Sequence, residues 1–141
     1  MLRPAAVAFA LASVLQPAAN ATDLTIRIKG ARDANGSVVA ALYSSKPAFP
    51  KDGQQYAAFR TKAATGGASV TFHDLPPGDY AVTAFHDENN NGKLDRDATG
   101  IPTEGYGVSN DARELLSPPL WDKAAFTVGA ESKTIIVTIE Y

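Results

Sequence analysis

Two stretches near the ends of the chain alternate with a period of two, and that period leaves few folds open. Residues 23–29 set Leu24, Ile26 and Ile28 against Thr25, Arg27 and Lys29. Residues 133–141 set Ile135, Val137, Ile139 and Tyr141 against Thr134, Ile136, Thr138 and Glu140. Successive side chains of a strand point to opposite faces, so each stretch offers one apolar face to a core. Weaker strand patterns fall at 37–43, 56–63, 68–75, 80–86 and 121–128, and turn chemistry separates several of them. Asn35-Gly36 reads as a hairpin turn, because a type I′ turn needs positive φ at both central residues. Gly66-Gly67 and Pro76-Pro77-Gly78-Asp79 mark two more turns. With about seven strands and no long helix, the pattern predicts an all-β fold, an antiparallel β-sandwich with Greek-key-like connections. Leu24, Ile26, Ile28, Val70, Phe72, Tyr80, Val82, Ile135, Val137 and Ile139 are expected to line one shared core.

The strand over 80–86 runs directly into His86-Asp87-Glu88-Asn89-Asn90-Asn91-Gly92-Lys93-Leu94-Asp95. Oxygen-bearing side chains stand at alternate positions (Asp87, Asn89, Asn91), followed by a glycine, a backbone carbonyl at Lys93 and an acid at Asp95. This is the spacing of the front half of an EF-hand-type calcium loop. Asp97 or Glu104 would complete the shell, and hard oxygen ligands point to calcium rather than to a transition metal. The alternative is a run of Asx turns in which the same side chains cap their own backbone. Residues 87–119 show no convincing strand, although 111–116 could form a helical turn capped by Asp111. So long an irregular stretch is normally functional or held by something, and residues 100–110 are expected to pack back on the acidic loop.

Arg3, the apolar run over residues 5–15 and Ala19-Asn20-Ala21 read as a secretory signal peptide over residues 1–21, cleaved after Ala21. One domain, residues 22–141, would remain, periplasmic or secreted. The apolar run is too short for a stable membrane anchor, and no later one is longer than a strand. There is no cysteine, so neither disulfides nor thiolate chemistry are available. Net charge is −2, with no basic stripe of the kind nucleic acid requires.

Phe72-His73-Asp74-Leu75-Pro76-Pro77-Gly78-Asp79-Tyr80-Ala81-Val82 resembles a hairpin of transthyretin-like and carboxypeptidase-regulatory-like sandwich modules. Phe85-His86-Asp87-Glu88-Asn89-Asn90-Asn91-Gly92-Lys93-Leu94-Asp95, with residues 100–110 (Gly100-Ile101-Pro102-Thr103-Glu104-Gly105-Tyr106-Gly107-Val108-Ser109-Asn110), is similar to the hallmark of the DUF2141 family. The resemblance spans essentially the whole mature chain. It implies a transthyretin-like sandwich and export from a bacterial cell, and it brings no activity with it. The loop departs from a full EF-hand in having Ala98 at position 12 and in following a strand instead of a helix.

Other chemistries have less behind them. His73 and His86 sit in matching Phe-His-Asp triplets, but the strands place them roughly 20 Å apart, too far to share a metal. Ser109, His86 and Asp87 or Glu104 can be written as a hydrolase triad, without any nucleophile elbow to support it. Phe49, Tyr56, Tyr106 and Trp121 would serve as a sugar-stacking platform if they were exposed together. The expected function is that of an exported, non-enzymatic and monomeric binding module. Its partner would be a protein or glycan of the cell envelope, and its acidic loop would be stabilised by weakly held calcium. A carbohydrate-binding domain using Trp121 and Tyr106, or a small hydrolase built on His86, Asp87 and Glu104, are the alternatives.

Overall fold

A computed structural model describes residues 21–141; the signal peptide expected over 1–21 lies, apart from Ala21, outside them. Eight strands and two short helical turns follow in order among the described residues. They are β1 (Thr22–Lys29), β2 (Ser37–Tyr43), β3 (Ala57–Lys62), β4 (Ala68–Leu75), β5 (Gly78–Asp87), β6 (Tyr106–Val108), α1 (Trp121–Ala124), β7 (Phe126–Val128) and β8 (Lys133–Thr138). The other helical turn, a 3-10 turn, spans Ser109–Asp111. One sheet has the order β4-β1-β8; the other has the order β3-β2-β5-β6, with β7 also on β5. All pairings are antiparallel except β1 with β8, which is parallel with Ile26 beside Ile135. Almost the whole chain separates those two strands, so no tight turn dictates their direction.

The sheets pack face to face as the alternation requires. Leu24, Ile26 and Ile28 from β1 share one core with Val38, Ala40 and Leu42 from β2, and with Tyr80, Val82 and Ala84 from β5. Val137 and Ile139 are buried with them, while Val70, Phe72 and Ile135 pack at its margin. Seven of the ten residues expected in the core are buried in it, and the other three, Val70, Phe72 and Ile135, are only partly buried against its edge. Each of the larger ones contributes about 1.5–3 kcal/mol by leaving water. The Tyr80 hydroxyl donates to the Pro76 carbonyl (2.6 Å), which fastens the entry to β5.

Neither expected hairpin forms. β1 and β2 are consecutive but lie in different sheets, as do β4 and β5 on either side of Pro76 and Pro77. In both cases the apolar faces meet across the sandwich, burying more than edge pairing would. Gly36 takes φ +68°, and a Cβ there would overlap the Asp87 carbonyl oxygen, so this turn is pressed against the start of the acidic loop. The strand expected over 121–128 divides into α1 and a three-residue β7. No helix capped by Asp111 follows the 3-10 turn; Asp111 itself has φ +52°. β6 was hidden by Gly105 just before it and Gly107 within it. Gly107 lies so close to β8 that a Cβ would overlap the Thr138 carbonyl oxygen.

A second core covers part of the outer face of the four-strand path. Tyr43, Ala81, Tyr106 and Val108 meet Phe49, Ala112 and Ala124 from the connecting segments. The acidic loop emerges beside this layer.

Candidate functional site

His86 and Asp87 are adjacent on β5, so their side chains leave it on opposite faces. Both are fully buried. His86 donates from Nε2 to the Asn35 carbonyl (2.6 Å), and its Nδ1 is hydrogen-bonded to the Tyr141 hydroxyl (2.6 Å). His86 thus ties the chain end and the 33–36 turn into the core.

Asp87 organises the loop from the other face. Its Oδ1 accepts from the Asn91 N–H (3.1 Å), and its Oδ2 accepts from the Gly92 N–H (2.8 Å) and Arg60 Nη2 (3.2 Å). Left-handed backbone at Asn90 and Gly92 coils the chain tightly enough for these bonds. The Asn90 amide oxygen accepts from the Ser37 hydroxyl (2.6 Å) and Arg60 (3.0 Å), mooring the coil to β2 and β3.

Above this base, Asn89 and Asn91 each donate from Nδ2 to Asp95, one to each carboxylate oxygen, at 2.6 Å. Their own oxygens accept from the Asn91 and Lys93 N–H groups. Alternate side chains thus converge, and Asx turns form at the same time. Glu104 is 6% exposed and spans the loop, accepting from Glu88 N (3.0 Å) and Asp95 N (3.1 Å). Its oxygens face the backbone. Asp97 belongs to a separate turn, where it accepts from the Thr99 hydroxyl and N–H and from the Ile101 N–H. The Thr99 hydroxyl, then the backbone N–H of Ile101, hold the Asp97 carboxyl below the ordinary aspartate range.

Of the seven expected ligands, Asp87, Asn89, Asn91 and Asp95 are joined through shared hydrogen bonds, with Lys93 inside their coil. Glu104 and Asp97 are bound to backbone nearby. Among the described residues no three acidic, histidine or cysteine side chains form a metal-holding group, so a cation here would depend on neutral oxygens. The donor chemistry permits that. A carboxylate offers about four lone-pair sites, and Asp95 has used two in side-chain bonds. Turning the Asn89 and Asn91 amides over would present oxygens to the same point. Residues 100–110 pack on the loop as expected, through Glu104, a Thr103 N–H to Asp95 carbonyl bond (2.8 Å) and a His86 N–H to Gly105 carbonyl bond (2.9 Å).

A model of the DUF2141 family, described as an uncharacterized protein conserved in bacteria, matches residues 26–136. The chain belongs to the DUF2141 family. No curated protein and no solved structure matches it. The match takes in the whole acidic loop and most of both sheets of this DUF2141 chain. Among its described residues no helix is long and apolar enough to cross a membrane.

The other constellations are dispersed. His73 is exposed and pairs with Asp23 (3.1 Å), far from buried His86. Ser109 Oγ donates to the Ala124 carbonyl and accepts from the Val82 N–H, four residues and about 13 Å along β5 from His86. Tyr106 lies buried beneath the Arg113 guanidinium, and Phe49 is wedged edge-on between Tyr43 and Trp121. Tyr56 is exposed and meets Tyr80 instead. Arg60 and Ser37 escaped the sequence reading, because their role exists only once β2, β3 and β5 are aligned.

Proposed function

We propose that this chain is an exported, non-enzymatic binding module of the cell envelope, a transthyretin-like sandwich whose acidic loop takes up calcium. The observation that carries the reading is the meeting of Asn89 and Asn91 on the two oxygens of Asp95, above a coil wound by Asp87. A divalent ion at that point would replace two amide donors, meet both Asp95 oxygens, and gain the Asn89 and Asn91 oxygens as those amides turn over. Calcium suits the set, since it accepts carbonyl and amide oxygens in irregular geometry, whereas magnesium demands a tight octahedron. Two neutral amides among the ligands make the site weak, in the ~10⁻⁴–10⁻³ M range of extracellular modules. Export accords with β1 beginning at Thr22, so that cleavage after Ala21 removes nothing from either sheet. A non-enzymatic role accords with His86, whose two ring nitrogens are both spent inside the core. Calcium titration by calorimetry tests the metal directly. Saturable one-to-one binding, abolished by Asp95→Ala and kept by Glu88→Gln, is the expected result. Heat of dilution alone for the parent protein would refute it.

A further inference from the structure

The outer face of the second sheet is only partly covered. Between the 50–55 loop and the 92–96 turn a cleft of about 650 Å³ remains, well within the size range of small-molecule sites. Its floor is Val39, Ala41 and Tyr43 from β2 with Thr83 and Phe85 from β5, outward-facing positions of a sheet whose other face is core. From Val39 to Tyr43 the floor extends about 13 Å. Tyr43 is buried beneath the second layer, but Val39, Ala41 and Phe85 stay only half-buried. Water-facing strand positions normally carry polar residues, so this apolar surface left in an open cleft requires a reason.

The two ends differ in charge. Lys93 and Arg96 line one end, and among the described residues neither is paired with a carboxylate; Arg96 donates only to the Gly100 carbonyl (3.0 Å). The neighbouring acids are engaged elsewhere: Asp87 by Arg60 and backbone, Asp95 by the two asparagines, and Asp97 by Thr99. At the opposite end stands Asp52, beside Tyr43. Pro119 closes one side, and Leu120 next to it is left 55% exposed.

We infer that this cleft binds a small amphiphilic anion, with its single carboxylate head between Lys93 and Arg96 and its apolar body along β2 and β5. The charge at the two ends selects the class. A cationic amphiphile meets the wrong head group, and a second carboxylate on the far end of the ligand meets Asp52. The inference needs no metal and stands if the calcium reading fails, because Lys93 and Arg96 act here through their side chains.

The test is an amide NMR titration in EDTA with decanoate, sebacate and decyltrimethylammonium, each below its micelle concentration. Decanoate is expected to shift Val39, Ala41, Thr83 and Phe85 saturably and to bind on the order of tenfold more tightly than either other probe. The double variant Lys93→Gln, Arg96→Gln, which removes both cations without adding acids to the loop, is expected to lose on the order of tenfold in affinity with amide shifts unchanged away from residues 92–101, both positions being exposed. Ala41→Trp, which fills the floor, is expected to abolish binding. Equal binding of all three probes, shifts confined to other surfaces, or undiminished decanoate affinity in the double variant would each overturn the inference.

Discussion

Glu104 joins two segments of the acidic loop that no strand ladder reaches. One buried carboxylate serves the N–H groups of Glu88 and Asp95, and without it both donors lose their only protein partner at that point. An unsatisfied buried donor costs about 1–3 kcal/mol, so Glu104→Ala is expected to destabilise the domain by about 2–3 kcal/mol. Glu104→Gln keeps one acceptor oxygen and should lose about half as much. Urea unfolding with unchanged m-values measures both. The sequence displayed Glu104 as a candidate ligand because acid near an acidic loop suggests metal; it could not show that both oxygens point at backbone. Asp87 was legible in position but not in manner. Its alternation with Asn89 and Asn91 gave the coil, while its contact with Arg60, 27 residues away in sequence, exists only once the second sheet is assembled.

At the scale of elements, the turn from Asp97 to Ile101 is held by a carboxylate that must stay ionised. Because Thr99 and Ile101 hold the folded-state pKa of Asp97 below its unfolded value, the turn's stabilisation is present above about pH 4 and is lost as pH falls through the folded value. Thr99→Val removes the largest cause, so a carboxyl NMR titration should find Asp97 moved up toward the ordinary aspartate range. An unmoved Asp97 would show that the backbone donors alone set it. The strands were legible where alternation or turn residues marked them: β2 and β4 coincide with their expected spans, and β1, β3, β5 and β8 do so within a few residues. Which strands pair was not. Asn35-Gly36 and Pro76-Pro77-Gly78 signal reversals of direction, and a reversal serves equally to make a hairpin or to cross between sheets. Val82 faces the centre of the sandwich and is fully buried, so Val82→Asp strands a charge there without a partner. That variant is expected to show no cooperative thermal transition by circular dichroism.

The whole molecule is a two-sheet sandwich whose second sheet carries an additional outer layer, and the acidic loop is fixed at the seam between them. His86 and Tyr141 tie its base to the chain end, Arg60 and Ser37 tie it to the second sheet, and residues 100–110 close over it. The fold class and the inner core were legible because burial enforces a period of two. The outer layer was not, since it is assembled from single residues such as Phe49, Ala112 and Ala124 in segments without periodicity. A loop anchored at so many points transmits stabilisation to the whole domain, so an ion bound there must raise global stability. The most direct measurement is a pair of thermal melts, one in EDTA and one in several millimolar calcium, on the parent protein and on Asp95→Ala. At a hundredfold excess over Kd, binding to the folded form alone is worth about 2.7 kcal/mol. For a domain of this size that corresponds to a rise of several degrees in Tm for the parent. Asp95→Ala should show none, and magnesium should substitute poorly. Equal midpoints with and without calcium in the parent protein would contradict the account and leave the loop as turns that cap themselves.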